Sequence, residues 1–282
     1  MKFKRSERLI DMTHYMVERP HQLVPLTFFS ERYSSAKSSI SEDLGIIKET
    51  FETRGIGKVQ TVPGAAGGVK YIPKVSSPDA KQVIGELCEH LANPERLLPG
   101  GYLYMTDLLG NPRAMDKVGK LFASAFSDSD IDVIMTVATK GIPIAHAIAS
   151  HMNVPVVIVR RDSKVTEGST VSINYVSGSN KRIQTMVLSK RSLKEGSKVL
   201  VVDDFMKAGG TVNGMKNLLE EFSAELSGIA VLVEAENADE RLVDEYISLV
   251  KLSDVDVKEK QINVSEGNYF KSNISFLEMG GN

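Results

Sequence analysis

The sequence lacks the features of a secreted, membrane-bound or histidine-metal protein. Its one cysteine, Cys88, cannot form an internal disulfide. Residues 1–10 lack the uninterrupted apolar stretch of a secretory signal, and no run approaches the roughly 20 apolar residues that span a bilayer. We therefore expect a cytoplasmic protein without membrane attachment. No metal-ligand spacing that we recognise joins the five histidines, which are His14, His21, His90, His146 and His151.

Net charge is small but unevenly distributed. The 282 residues carry a formal charge of −2, and their length and ordinary composition favour two packed domains. Residues 1–73 contain 11 lysines and arginines against 8 acidic residues, whereas the remainder contains 23 against 28. A basic head on an acidic body suggests a polyanionic partner for the head, although an ordinary solvated surface explains the charge equally well.

Three helices and a hairpin are predicted in residues 1–73. The first helix is Ser6–Arg19, the second begins at Pro25, and the third runs from Lys37 to a glycine at position 55. Two β-forming stretches, 58–62 and 69–72, then flank a glycine-rich turn. This order predicts a winged helix-turn-helix domain over residues 1–73, with its third helix in the DNA major groove.

Basic and hydroxyl side chains mark the expected DNA-binding face of this domain. A basic cluster precedes and enters the first helix, and a lysine and three serines open the third, where they would contact phosphates and base edges. Protein contacts are the alternative, because small units of three helices and a hairpin also mediate them, and the serines at the helix start can be ordinary caps. The candidate DNA-binding residues are Lys4, Arg5, Arg8, Lys37, Ser38, Ser39 and Ser41.

Residues 74–282 alternate between strand and helix patterns. Such alternation predicts an α/β domain with a parallel sheet flanked by helices on both faces. Ligands of these sheets bind where the strands end at their carboxyl termini. The predicted strands are 133–138, 154–159, 198–202 and 229–234, and the predicted helices between or beside them are 118–126, 144–151 and 213–222.

Two of these strand ends suggest anion chemistry. Residues 138–143 combine a lysine, a glycine and a helix start, which suit an anion. The run VLVVDDFMKAGGT, residues 199–211, places two adjacent carboxylates at a strand tip and a Gly-Gly-Thr turn at a helix start. Carboxylates accept hydrogen bonds from vicinal ribose hydroxyls, and amides at a helix start bind phosphate. The run therefore predicts a ribose-phosphate site, and it has neither the Walker lysine nor dinucleotide-binding glycine spacing.

The same run resembles the phosphoribosyl-pyrophosphate (PRPP) signature of the type I phosphoribosyltransferases. The resemblance extends over roughly residues 80–265, and the stretches VPVVIVRRDSKVTEGSTVSINYVSG and QTMVLSKRSLKEGSKVLVVDDF look most like xanthine-type members. With a winged helix at residues 1–73, the chain is similar to the purine operon repressors of Gram-positive bacteria. The resemblance implies a homodimeric repressor that binds the operator DNA of purine genes, is induced by PRPP and lacks, or nearly lacks, transferase activity, so that no catalytic residue is assigned.

The resemblance also assigns roles within the ligand site. Asp203 and Asp204 would hold the ribose hydroxyls, and the loop 205–211 would wrap the 5′-phosphate. The loop 138–141 would face the pyrophosphate, with Mg²⁺ beside it. Tyr102 and Arg160 would line the nucleobase and pyrophosphate pocket. The predicted residues of the two loops are Phe205, Met206, Lys207, Ala208, Gly209, Gly210 and Thr211, and Ala138, Thr139, Lys140 and Gly141.

Two other functions fit the same residues. A purine phosphoribosyltransferase would transfer ribose phosphate to xanthine or guanine, closing a loop over the site, for which residues 165–184 are the candidate. A regulator could instead sense guanine alarmone nucleotides, which share diphosphate groups with PRPP. One departure from the enzymes is relevant: Lys207 and Ala208 stand where the family has a small residue and a threonine. A phosphate-binding hydroxyl is thereby lost and a cation gained, which would favour ligand retention over turnover if the lysine faces the bound phosphates rather than solvent.

Overall fold

The computed structural model describes residues 3–64, 66–99, 101–162, 168–176, 183–236, 241–256, 259 and 261–272. It divides into two compact units, whose main boundary lies between Ser77 and Pro78. No helix within the described ranges is long and apolar enough to cross a membrane.

The N-terminal unit contains the predicted three helices and hairpin. Its helices are α1 (Arg5–Val17), α2 (Leu26–Tyr33) and α3 (Lys37–Arg54), and its strands β1 (Gly57–Val62) and β2 (Gly68–Pro73) pair antiparallel. Val24, between α1 and α2, adds an antiparallel bridge to Val69 of β2. The winged-helix prediction is therefore confirmed.

One apolar stripe of α3 organises the core of this unit. The stripe is buried against α1, α2 and the hairpin, because its spacing places every member on the same helix face. Ser34 at φ +47° ends α2, and Gly55 at φ +65° ends α3. These left-handed residues stop each helix and redirect the chain. The stripe consists of Ile40, Leu44, Ile47 and Phe51.

The C-terminal unit is built from alternating strands and helices. Its first part contains α4 (Ser77–Leu91), a 3₁₀ turn (Pro94–Arg96), β3 (Leu97–Leu98), β4 (Tyr102–Leu103), α5 (Thr106–Leu109), α6 (Pro112–Ala125), β5 (Val133–Val137), α7 (Gly141–Met152) and β6 (Val156–Val159). Its second part contains β7 (Thr170–Val176), β8 (Ile183–Ser189), β9 (Lys198–Met206), α8 (Gly210–Glu221), β10 (Glu225–Ala235), β11 (Ile247–Asp256), β12 (Gln261–Glu266) and α9 (Tyr269–Ser272).

The central sheet has the strand order β12-β11-β10-β9-β5-β6. Strands β11, β10, β9, β5 and β6 are parallel, and only the edge strand β12 pairs antiparallel among the described strands of this sheet. Every residue of β5 is buried, as expected for a central parallel strand covered on both faces. The predicted α/β architecture is confirmed, with an antiparallel edge that the sequence pattern did not indicate.

The described residues of the segment predicted to be a closing loop, 165–184, are mostly strand residues of a hairpin. They belong mostly to β7 and to the start of β8, which pair antiparallel. Tyr175 of β7 packs against Gly214 of α8, where an added Cβ would come within 2.9 Å of the ring. This contact ties the hairpin to the helix after β9, so the described part is not a polar loop. Residues 165–167 and 177–182 lie outside the described ranges.

Candidate functional site

The strand order creates a crevice between β5 and β9. After β5 the chain crosses through α7 to β6 on one side, whereas after β9 it crosses through α8 to β10 on the other. The two loops that follow β5 and β9 therefore separate at the carboxyl edge of the sheet. Such a switch point is where open α/β sheets bind ligands.

A cavity of about 610 Å³ occupies this crevice. It brings together residues from five separate stretches of the C-terminal unit, including nearly all of the predicted ligand site. Its wall is formed by Tyr102, Leu103, Met105, Val137, Ala138, Thr139, Lys140, Arg161, Gln184, Asp203, Asp204, Phe205, Met206, Lys207, Ala208, Gly209, Gly210 and Thr211.

Two residues predicted to belong to the ligand site, Arg160 and Gly141, do not line the cavity. Among the described residues, the wall contains Arg161 but neither Arg160 nor Gly141. Arg160 exchanges two backbone hydrogen bonds with Val187 of β8, at 3.0 and 2.8 Å, and so joins β6 to the hairpin. Gly141 is buried, and a Cβ there would lie 2.1 Å from Oγ1 of Thr136. The glycine thus lets the loop after β5 approach that strand closely.

Arg161 and Gln184 are wall residues that the sequence analysis missed. Arg161 is the second residue after β6, so its position near a strand end is a sequence signal that it shares with Arg160. Gln184 lies in β8, where its side-chain oxygen accepts a hydrogen bond of 2.7 Å from the Tyr175 hydroxyl. No local pattern marks such a residue, because its position depends on the hairpin pairing.

Asp203, which is buried, and Asp204, which is half-buried, form an acidic pair near the end of β9. The backbone N–H of Asp204 donates a 3.0 Å hydrogen bond to Oδ1 of Asp203. Burial, together with the neighbouring Asp204 charge, raises the pKa of Asp203 well above its ordinary value. Burial also raises the pKa of Asp204, and the charge of Lys140 opposes that rise. The pair is thus costly when ionised and would gain from hydroxyl donors or a bound cation.

This pair gives the unliganded protein a specific pH dependence. Carboxyls whose pKa is raised by folding stabilise the fold while protonated, and that stability is lost as the pH rises from about 3.8 through the raised values. Replacing both acids by asparagine should remove this loss and raise the melting temperature at neutral pH. Thermal melts of parent and double variant from about pH 4 to 7 test this. If the melting temperatures of parent and double variant differ by the same amount at every pH, this prediction is wrong.

The loop after β9 presents polar backbone at a helix start. Gly209, at φ +81°, is the residue before α8, and no side chain caps that helix. The first amides of α8 therefore have no partner within the helix and suit an anion. The cationic residues Lys207, Lys140 and Arg161 all line this cavity, and each of them follows the end of a different strand. The Tyr102 and Phe205 rings also meet there, with centroids 5.8 Å apart.

In the N-terminal unit, most predicted DNA-contacting residues are exposed. Lys37, Ser38 and Ser41 are exposed in the first turns of α3, and Ser39 is half-buried. Lys4 is also exposed, immediately before α1. Helix α3 is the second helix of the helix-turn-helix formed with α2. Contact with the major groove requires that the start of this helix is accessible.

Arg5 and Arg8 have a structural partner that the sequence analysis did not identify. Asp43 of α3 has a side chain only 1% exposed. Nε of Arg5 donates to Oδ1 of Asp43 at 2.8 Å, and Arg8 donates to Oδ2 through Nε at 2.9 Å and Nη2 at 2.8 Å. Arg8 is itself 13% exposed. Both arginines thus fasten α1 to α3, and Arg8 has little surface left for a phosphate.

Family models match both units of the chain. The model described as "Bacterial purine repressor, N-terminal" matches residues 4–73, and that described as "Phosphoribosyl transferase domain" matches residues 105–266. The chain is similar to the adenine phosphoribosyltransferase of Thermoanaerobacter pseudethanolicus, with a TM-score of 0.52 at 23% identity. That match covers 59% of this chain and 98% of the enzyme, and it supports the fold alone.

Two regulators match almost the full chain. The purine biosynthesis transcriptional repressor PurR of Bacillus subtilis is 67% identical over 277 residues, covering 97% of each chain. The purine biosynthesis transcriptional activator PurR of Lactococcus lactis is 48% identical over 267 residues, covering 95% of this chain and 98% of the relative. The similarity thus includes the winged helix, the α/β unit and their order.

Proposed function

Because the chain belongs to the PurR family of DNA-binding regulators of purine biosynthesis, we propose that it represses purine genes and is induced by PRPP. The observation that carries this proposal is the composition of the cavity. One cavity offers an acidic pair for vicinal hydroxyls and two cation-bearing loops for phosphates. PRPP carries the matching groups on one molecule, with its vicinal ribose hydroxyls between a 5′-phosphate and a pyrophosphate.

Different residues of the cavity would bind different parts of PRPP. Asp203 and Asp204 would accept hydrogen bonds from the ribose hydroxyls, and the start of α8 would bind the 5′-phosphate. Thr139 and Lys140 would face the pyrophosphate. Charge-assisted hydrogen bonds of this kind are the strong ones, which explains how a half-open site could hold a small polyanion.

Mg²⁺ fits this arrangement as a companion of the ligand. The described residues contain no group of three or more histidine, cysteine or acidic side chains that could hold a metal alone. Two carboxylates plus ligand phosphates are the usual surroundings of Mg²⁺, and Asp203 and Asp204 supply the protein's share. When bound with PRPP, the ion would neutralise phosphate charge and favour ionisation of the pair.

Repression rather than catalysis is the second part of the proposal. Lys207 lines the cavity, where the enzymes of the family have a small residue, and its charge would strengthen phosphate binding without serving proton transfer. The alternative is an active purine phosphoribosyltransferase. Incubation with PRPP, Mg²⁺ and xanthine or guanine separates the two, because only the enzyme forms nucleotide and pyrophosphate.

A guanine alarmone is a second candidate ligand for the same cavity. Lys140, Arg161 and Lys207 would serve its diphosphate groups as they would serve those of PRPP. Such a nucleotide would compete with PRPP and oppose its effect on DNA binding. Competition in a PRPP titration would establish it.

Control of DNA binding would arise by linkage between the two ligands. If PRPP favours a state with lower DNA affinity, DNA must weaken PRPP binding by the same factor. A homodimer is part of the proposal, because two winged helices related by two-fold symmetry would read two half-sites. The proposal is tested by calorimetric titration of PRPP·Mg²⁺ with and without saturating operator DNA. A weaker PRPP affinity in the presence of DNA is expected, and equal affinities would overturn the proposal.

A further inference from the structure

A buried carboxylate lies at the end of β10, outside the cavity wall. Glu234 is 5% exposed, and its carboxylate is hydrogen-bonded to three side chains. It accepts hydrogen bonds from the Tyr246 hydroxyl at 2.5 Å, from Oγ of Ser248 at 2.6 Å and from Nη1 of Arg241 at 2.7 Å. A buried charge with three donors is an organised feature, because an unpaired one would be strongly unfavourable.

Arg241 is held on several sides by this cluster. Besides Glu234, its Nη2 donates to the carbonyl oxygen of Ala235 at 2.9 Å. Its guanidinium lies 5.3 Å from the centre of the Tyr246 ring, within cation–π range. A planar guanidinium bound in two directions fixes the backbone that carries it more firmly than a single ion pair would.

The backbone that follows Arg241 contacts the phosphate loop directly. The N–H of Leu242 donates a 2.9 Å hydrogen bond to the carbonyl oxygen of Ala208. The next residue, Val243, is buried against Gly209, where an added Cβ would lie 3.1 Å from Cγ2 of the valine. Two consecutive residues thus brace the backbone immediately before α8.

We propose that Glu234, Arg241 and Tyr246 are positioning residues for the phosphate loop. The cluster anchors residues 241–246, and that segment fixes the Ala208 carbonyl and Gly209 so that the first amides of α8 are held ready for an anion. None of the three residues lines the cavity in the described part of the chain, so their effect on binding is transmitted through Leu242 and Val243. The inference rests on the proposed phosphate role of the loop.

Arg241→Met is the variant that tests whether the cluster fixes the phosphate loop. The methionine keeps much of the apolar stem but loses the hydrogen bonds to Glu234 and Ala235, whereas Arg241→Lys retains a donor for Glu234. Glu236→Gln is the matched control, because it breaks an exposed ion pair with Lys251 just beyond the same strand. The probes are PRPP·Mg²⁺ in calorimetry and hydrogen exchange of the Leu242 amide without ligand.

We expect Arg241→Met to weaken PRPP binding about tenfold, as losses of supporting residues around a site commonly do. The Leu242 amide should exchange faster, Arg241→Lys should restore part of both effects, and Glu236→Gln should change neither. Unchanged PRPP affinity or unchanged Leu242 exchange in Arg241→Met would overturn the proposal. If Arg241→Met does not fold, Glu234→Gln and Arg241→Lys are judged by the same two readouts. If the parent binds no PRPP, the proposed function fails, and Leu242 exchange still decides whether the cluster fixes the loop.

Discussion

Replacing Asp203 and Asp204 together by asparagine should abolish the response to PRPP while leaving operator binding intact. In the proposed complex each carboxylate would accept charge-assisted hydrogen bonds from the ribose, and the pair would supply the protein's ligands for Mg²⁺. Losing both should weaken PRPP binding about 100-fold or more, at roughly 1.5 kcal/mol or more for each charged group. Calorimetry measures the affinity, and a gel shift with operator DNA measures the response.

The matched control for this variant is Asp128→Asn with Asp130→Asn. It removes the same two charges from exposed residues ahead of β5, close to the amino end of the sheet, where Asp130 pairs with Lys198. PRPP affinity should be unchanged in the control. If the Asp203/Asp204 variant were still released from DNA by PRPP at the parent's concentrations, the assigned ligand site would be wrong.

Asp43→Ala should destabilise the N-terminal unit and reduce operator binding with it. The substitution leaves Arg8 largely buried without its carboxylate and releases Arg5, so α1 loses its ion pairs with α3. Removing one partner of a buried ion pair costs about 3 kcal/mol. A lower melting temperature and a loss of DNA affinity are expected, while PRPP affinity should be retained.

Glu42→Gln tests whether this effect belongs to the buried pair. Glu42 is the preceding residue of α3, is 72% exposed and approaches Arg5 only at 3.9 Å. Exposed pairs contribute between 0 and about 1 kcal/mol, so its melting temperature should stay close to that of the parent. Equal behaviour of the two variants would show that the Asp43 cluster does not support α3.

Patterns of apolar spacing predicted the fold well. The stripe of α3 and the buried runs of β5 and β9 are local signals, because one helix face or one covered strand determines them. The strands β7, β11 and β12 were not predicted. In β7 the polar residues Ser172 and Asn174 alternate with apolar ones, which is a local strand signal that was missed because residues 165–184 were assigned to a closing loop. Its pairing with β8 and its packing on α8 are long-range contacts that spacing cannot reveal.

The ligand site was predictable where its residues are consecutive. The acidic pair and the turn before α8 stand in one short run, so the sequence displays their chemistry directly. Arg161 was missed because either of two adjacent arginines could face the cavity, and the β6–β8 bridge decides between them. Asp43 and Glu234 were missed for another reason. Their partners lie far away in sequence or across strands, and a lone acidic residue gives no sign of burial.

The most direct test of the central claim is fluorescence anisotropy of labelled purine-gene control DNA titrated with this protein, with and without PRPP and Mg²⁺. Salt must be held constant, because phosphate contacts make DNA affinity strongly salt-dependent. We predict tight binding that PRPP weakens in the parent but not in the Asp203/Asp204 double asparagine variant. Coincident binding curves with and without PRPP in the parent would contradict the account.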